Sequence, residues 1–254
     1  MTERLVRLAL PDGRVAYGRR QDDVIELLGG APWTVWGKPT GERVEAATAR
    51  LLAPVQPGKV VAVGLNYRMH AEEMKDRLPD EPVLFLKPAS SVIGPGEPIR
   101  WPAMSREVHY EAELAVVIGR RARNLEPDEV EGAILGYTCG NDVTARDLQR
   151  KDGQWTRSKS FDTFCPLGPE VVRGIDPSGR GIRTLVNGEV RQEGNTGDLL
   201  FDVAYLVRFV SQVMTLEPGD VILTGTPAGV GPVRPGDEVR VVIDGLGELV
   251  NPVE

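Results

Sequence analysis

Val-His-Tyr-Glu-Ala-Glu-Leu-Ala-Val-Val-Ile-Gly, residues 108–119, decides how the rest of the chain is read. Residues 114–118 form an uninterrupted apolar run rich in β-branched side chains, which reads as a strand. Side chains two apart on a strand point to the same face, so Glu111 and Glu113 are expected side by side, roughly 6–7 Å apart. At an effective dielectric of about 20, two such charges repel by ~2–3 kcal/mol. Burial beside an apolar run adds to that cost. Either the pair is solvated on an edge, or something positive lies between its members. A hard divalent cation meets the second condition, because Mg2+ and Ca2+ take carboxylate oxygens.

Composition narrows the surroundings of that strand. The 254 residues are 41% hydrophobic, enough for one sizeable core and a small appendage. A net charge of −7 and the lack of a long basic cluster disfavour a nucleic-acid partner. No apolar stretch approaches the ~20 residues of a membrane span, and the start shows no leader pattern. Cys139 and Cys165 have no CxxC or zinc spacing, so both read as buried free thiols in a reducing cytoplasm. The absence of two histidines in a His-x-His pair argues against a cupin-type metal site.

Working outward, residues 1–53 read as a small β module. Asp12-Gly13 is its hairpin signal and Gly29-Gly30 with Pro32 its stop. Pro54 and Pro57-Gly58 form a linker, and residues 54–254 make up the main domain. A buried strand over 60–63 enters Gly64-Leu65-Asn66-Tyr67, and a helix is expected over 68–75 with Asn66 as its N-cap. His70 and Glu73 share a face of that helix. A carboxylate beside a histidine orients the ring, and such a pair can act as a general base on water. The polar, Pro-rich stretch 76–82 suits a loop that closes with the helix as a lid. His109 shares the Glu111 face and is expected simply to pack.

Asp142 lies where a strand ending in Cys139-Gly140 gives way to a helical turn, which makes it a third candidate metal ligand. Three carboxylates suit Mg2+ or Mn2+ better than zinc. Lys159, one of six lysines, lies in a polar and aromatic stretch, where it is either a solvated loop charge or a group that stabilises a developing oxyanion. Asn187-Gly188 marks a hairpin, and residues 199–214 carry apolar side chains at helical spacing. Gly225-Thr226-Pro227-Ala228-Gly229 lacks the spacing of a phosphate loop but can hold a carboxylate through backbone N–H groups and the Thr226 hydroxyl.

Seven motifs in this order carry a family resemblance. They are Gly64-Leu65-Asn66-Tyr67 with His70 and Glu73, Phe85-Leu86-Lys87-Pro88, Tyr110-Glu111-Ala112-Glu113-Leu114, and Asn141-Asp142-Val143-Thr144-Ala145-Arg146-Asp147. Lys159-Ser160-Phe161-Asp162, Asn187-Gly188-Glu189 and Thr224-Gly225-Thr226-Pro227 complete the set. Over residues 54–254 the chain resembles the fumarylacetoacetate hydrolase superfamily, in its branch of 2-hydroxyhepta-2,4-diene-1,7-dioate isomerases. The resemblance implies an α+β, predominantly β fold: a mixed β-sandwich roll with the small N-terminal β module attached, usually dimeric. It implies a Mg2+ or Mn2+ site formed by Glu111, Glu113 and Asp142. It makes His70 and Glu73 a water-activating dyad, Lys159 the enolate-stabilising lysine, and Thr226 the residue that grips a substrate carboxylate. Arg146 and Gln149 are placed near the substrate.

The expected activity is isomerisation (tautomerisation) of 2-hydroxyhepta-2,4-diene-1,7-dioate or a similar 2-oxo or 2-hydroxy-dienoic diacid in aromatic catabolism, through a metal-bound enolate. The alternatives are an acylpyruvate hydrolase cleaving a C–C bond and a 2-oxo acid decarboxylase. A non-catalytic metal-binding or assembly module is the reading from another class. The expected setting is a cytoplasmic homodimer acting on a small molecule.

Overall fold

The computed structural model describes residues 2–74 and 77–254. Met1, Lys75 and Asp76 fall outside the described residues, and with them the end of the expected helix over 68–75 and the start of the expected lid loop.

The apolar run forms the strand Ala112–Ile118, every residue of which is buried. A strand covered on both faces is expected to read as continuous hydrophobics rather than as an alternation. Ala112, Leu114, Val116 and Ile118 pack in one core with Val203, Leu206, Val207 and Val210 of a helix, and with Ile182, Val241 and Ile243. Ala115 and Val117 point the other way, into a second core with Val60, Ala62, Leu167 and Leu223. The large mixed sheet runs in the order 39–45, 24–28, 15–21, 3–9, 165–173, 134–141, 112–118, 221–223, 60–64, 83–87. A four-stranded antiparallel sheet (189–195, 181–186, 238–243, 247–252) packs against it through the first core. A three-stranded sheet (144–145, 108–110, 231–233) caps one end. The fold is α+β and mostly β, as the resemblance implies.

The N-terminal strands belong to the large sheet. Glu3–Ala9 pairs antiparallel with Cys165–Arg173, matching Leu5 with Val171, so the first four strands extend the sheet.

Four α-helices matter to the site: α1 (Arg68–Met74), α2 (Arg146–Asp152), α3 (Thr156–Lys159) and α4 (Val203–Val213). The helical pattern expected over 199–214 starts later, because Asp202 caps α4 by accepting from the Tyr205 N–H. Asn66 does not act as the expected cap. Its side chain accepts from the Phe201 N–H and donates to the Phe201 and Thr224 carbonyls, tying the 64–67 turn to two distant segments. The Asn187-Gly188 hairpin forms as expected, with both residues at positive φ (52° and 83°) between strands 181–186 and 189–195.

Cys139 and Cys165 are free and fully buried, and burial pushes both thiols up to about 12. Native protein at about pH 8 is therefore expected to leave an aromatic disulfide reagent unreacted, and both cysteines react once denaturant opens the sheet. Rapid labelling of either thiol in the native state would contradict the placement of its strand.

Candidate metal centre and active site

Three neighbouring strands cross from the large sheet to the three-stranded one, and each crossing carries a polar residue of the site. The first crossing is at Glu111, between Val108–Tyr110 and Ala112–Ile118. The expectation of one unbroken strand through both glutamates is corrected here: Glu111 sits at a joint between strands of different sheets. The two carboxylates still converge, each offering an oxygen within 4.8 Å of the other. Asp142 lies in the second crossing, between Ile134–Asn141 and Thr144–Ala145. Thr226 lies in the third, between Val221–Leu223 and Gly231–Val233.

Hydrogen bonds lace the joints together. The Glu111 N–H donates to Asn141 Oδ1 at 3.0 Å, and the Asp142 N–H donates to the Glu111 carbonyl at 2.9 Å. The Gly225 N–H donates to Glu113 Oε2 at 2.7 Å. Gly225 has φ +102°, and a Cβ there would lie 2.7 Å from Asn66 Cβ, so only glycine brings this amide to the glutamate.

Glu111, Glu113 and Asp142 are buried, and each offers an oxygen within 4.8 Å of the others. At an effective dielectric of about 20, charges so close repel by about 3–4 kcal/mol per pair. Three cations answer them. Lys159 donates to Glu111 Oε2 at 2.8 Å and to Asp142 Oδ2 at 2.6 Å. Lys87, fully buried, donates to Asp142 Oδ1 and to the Val143 carbonyl. Arg146 donates to Glu111 Oε1 and to Gln149. Among the described residues, no cation is bonded to Glu113. Burial raises its carboxyl well above the usual range, and Asp142 and Glu111 push it further. Burial also acts on Glu111, but Lys159 and then Arg146 outweigh it and hold that carboxyl low. For Lys159, burial works against the charge, yet Asp142 and Glu111 overcome it and raise its pKa.

This donor set fits a hard divalent ion. Three carboxylate oxygens converge, and among the described residues one of the three carboxylates has no cation bonded to it.

A cavity of about 330 Å3 opens onto the cluster. His70, Glu111, Glu113, Asp142, Arg146, Gln149, Lys159 and Thr226 line it, so eight of the nine site residues expected from sequence share one cavity. Glu73 stands behind His70 instead. Its Oε2 lies 3.3 Å from His70 Nδ1, and both its oxygens accept from the Gly229 N–H at 3.1 Å. The Thr226 hydroxyl oxygen accepts from Gln192 Nε2 at 2.8 Å, leaving its own proton to donate. Lys159 is not a solvated loop charge: it ends α3, buried, 5.1 Å from the centre of the Phe85 ring. His109 packs, as expected, but also bonds: Nε2 lies 2.9 Å from Glu107, and Arg146 Nε donates to Nδ1.

Lys87, Gln192, Arg150 and Trp155 were not expected at the site. The sequence signals for Lys87 are its scarcity, as another of the six lysines, and its place in the Phe85-Leu86-Lys87-Pro88 motif, neither of which assigned it a role. Trp155 is seated by Gly64, where a Cβ would lie 2.6 Å from its ring.

Two outcomes follow for Glu113. Its raised carboxyl pKa means the folded protein holds a proton that the unfolded chain has lost above the ordinary value of 4.5. Metal-free stability therefore falls as pH rises above the ordinary value of 4.5 and through the raised value of the folded state, and Glu113→Gln flattens that fall. Thermal melts across pH check this, and equal slopes for both proteins would contradict it. A divalent ion held by the triad would displace the proton, so its apparent affinity in calorimetry is expected to rise over the same range and to drop at least about tenfold in Glu113→Gln. A pH-independent affinity would place the ion elsewhere.

Residues 59–254 match the fumarylacetoacetate (FAA) hydrolase C-terminal family, and residues 3–54 match the Rv2993c-like N-terminal family. A solved 2-hydroxyhepta-2,4-diene-1,7-dioate isomerase from Mycobacterium marinum is 46% identical, with a TM-score of 0.91 over 99% of this chain and 98% of that one. The mitochondrial oxaloacetate tautomerase fahd2 of Xenopus laevis is 47% identical over 216 residues, 80% of this chain and 68% of the relative. Fumarylpyruvate hydrolase from Pseudomonas aeruginosa, solved in complex with Mn2+ and pyruvate, is 36% identical, with a TM-score of 0.73 over 80% of this chain and 91% of that one. The motifs, the fold and the matched span agree: this chain is an enzyme of the fumarylacetoacetate hydrolase superfamily.

Proposed function

We propose that this enzyme is a divalent-metal-dependent isomerase (tautomerase) of 2-hydroxyhepta-2,4-diene-1,7-dioate or a similar 2-oxo or 2-hydroxy-dienoic diacid of aromatic catabolism. The observation that carries the reading is the buried triad Glu111, Glu113 and Asp142 with Lys159 bonded to two of its members, at the floor of a cavity lined by His70. The isomerase and tautomerase relatives support it.

Mg2+ or Mn2+ held by the triad would supply Lewis acidity toward the carboxylate and neighbouring oxygen of a 2-oxo acid. The remaining work falls to side chains. An ammonium has three N–H donors; Glu111 and Asp142 take two from Lys159, leaving one for a substrate oxygen that gains negative charge. The Thr226 hydroxyl, fixed by Gln192, has its proton free to donate to the substrate carboxylate. Glu73, anchored by Gly229, accepts the His70 Nδ1–H and leaves Nε2 as the base. His70 takes the proton from the 2-hydroxyl and returns one to carbon 5, turning the 2-hydroxy-2,4-diene into the 2-oxo-3-ene with no net gain or loss of atoms.

The His70–Glu73 pair also favours a second reading, acylpyruvate hydrolysis, because the same base can activate water toward the carbonyl at carbon 4, with cleavage of the bond between carbons 3 and 4. The fumarylpyruvate hydrolase relative supports that alternative. We place the protein in the cytoplasm as a homodimer, with light scattering expected to give twice the chain mass of 27.7 kDa. A single chain mass would remove that part of the reading.

Proton NMR in D2O with Mg2+ separates the activities. Chelator-sensitive deuterium uptake and keto product from the dienoate, without cleavage, is the expected result. Lys159→Met should lower turnover by about 100-fold or more while metal still binds. Two smaller acids from an acylpyruvate would favour the hydrolase, and pyruvate from oxaloacetate a decarboxylase. Silence on every substrate with metal bound would overturn the proposed activity.

A further inference from the structure

Among the described residues, the cavity is lined by one cation that the carboxylate cluster does not use. Lys159 and Arg146 are both bound to Glu111. Arg150, which follows Gln149 on α2, also lines the cavity, but its guanidinium donates to Glu107, outside the cluster. The Arg150 side chain is 60% exposed and that of Glu107 32%, and an ion pair this open to water is weak and readily exchanged. Glu107 keeps a second partner when Arg150 leaves, because His109 Nε2 lies 2.9 Å away. Trp155, Phe85 and Leu65 give the same cavity an apolar lining suited to a hydrocarbon chain. Trp155 is fixed edge-on to Phe85, with ring centres 5.2 Å apart.

A ligand whose 2-oxo acid end sits at the triad thus meets cations already paired with carboxylates at the floor, an apolar wall, and an exchangeable guanidinium. We propose that Arg150 selects for a second, distal carboxylate, exchanging Glu107 for the far end of a dicarboxylic 2-oxo or 2-hydroxy-dienoic acid. This inference rests on the proposed function, which places the 2-oxo acid end at the triad. It adds that diacids are preferred over monoacids of the same length, and it names the residue that makes the choice.

Calorimetric binding to Mg2+-loaded protein tests it, with 2-oxoheptanedioate and 2-oxoheptanoate as probes that differ only by the distal carboxylate. Wild-type protein is expected to bind the diacid about tenfold more tightly, the effect of one charge-assisted contact in a partly solvated place. Arg150→Gln should remove the preference by weakening the diacid alone, and Arg150→Lys should restore part of it. Mg2+ affinity and melting temperature should stay unchanged in both variants, and added salt should shrink the wild-type preference. Equal binding of the two acids by wild-type protein would overturn the inference. So would a preference that survives Arg150→Gln, or an equal loss for both acids. If neither acid binds in a metal-dependent way, the underlying reading of the triad fails and this inference falls with it.

Discussion

Repulsion among three buried carboxylates is the constraint around which this end of the molecule is arranged. Glu111, Glu113 and Asp142 lie too close together, and too far from water, to be charged without help. Lys87, Lys159 and Arg146 supply that help from three elements: strand Val83–Lys87, α3 and α2. The compensation is uneven. Asp142 has two lysines and Glu111 a lysine and an arginine, whereas Glu113 has one backbone N–H. With all three carboxylates ionised, as they would be around a bound ion, three negative charges meet three positive ones. Adding a divalent cation leaves the cluster with two positive charges, a match for a dianionic substrate. The same arithmetic shows how a chain of net charge −7 can still carry a locally positive site.

The topology makes the convergence possible. Strands 134–141, 112–118 and 221–223 are neighbours in the large sheet, and their continuations 144–145, 108–110 and 231–233 are neighbours in the same order in the small one. Three adjacent chains therefore leave one sheet side by side and enter another. At each joint the ladder is interrupted, and backbone groups and side chains that would pair along a strand turn to the gap. Asn141, Gly225 and Gln192 take up the freed hydrogen-bonding capacity, and doing so fixes Glu111, Glu113 and Thr226. Rigid sheets on both sides hold joints that are not regular structure, which is how a strand-rich fold presents polar groups to a cavity.

The sequence made parts of this legible where a local rule had no competitor. The apolar run 114–118, the helical spacing around Leu206 and Val210, and Asn187-Gly188 all formed the expected elements. Glu-x-Glu signalled a charged pair because period-two spacing needs no tertiary knowledge. The break at Glu111 was hidden, since Val-His-Tyr before it is strand-compatible and no Gly or Pro marks the joint. Lys87 was hidden for another reason: a lysine followed by proline reads as a solvated strand end, and only the distant Asp142 makes its burial tolerable. The union of the N-terminal strands with the main sheet depends on pairing Leu5 with Val171, which no local pattern encodes. Arg150 reaches the cavity from α2 itself, and Trp155 from the turn after α2 stops at Gly153 in a left-handed cap (φ 70°).

The central claim is that the three crossings exist to hold one divalent ion. Anomalous diffraction from crystals grown with Mn2+ tests it most directly. One strong peak per chain is expected, within bonding distance of oxygens from Glu111, Glu113 and Asp142, and it should vanish in Asp142→Asn crystals. A peak held by other residues, or an empty triad with its lysine contacts unchanged at saturating Mn2+, would contradict the account.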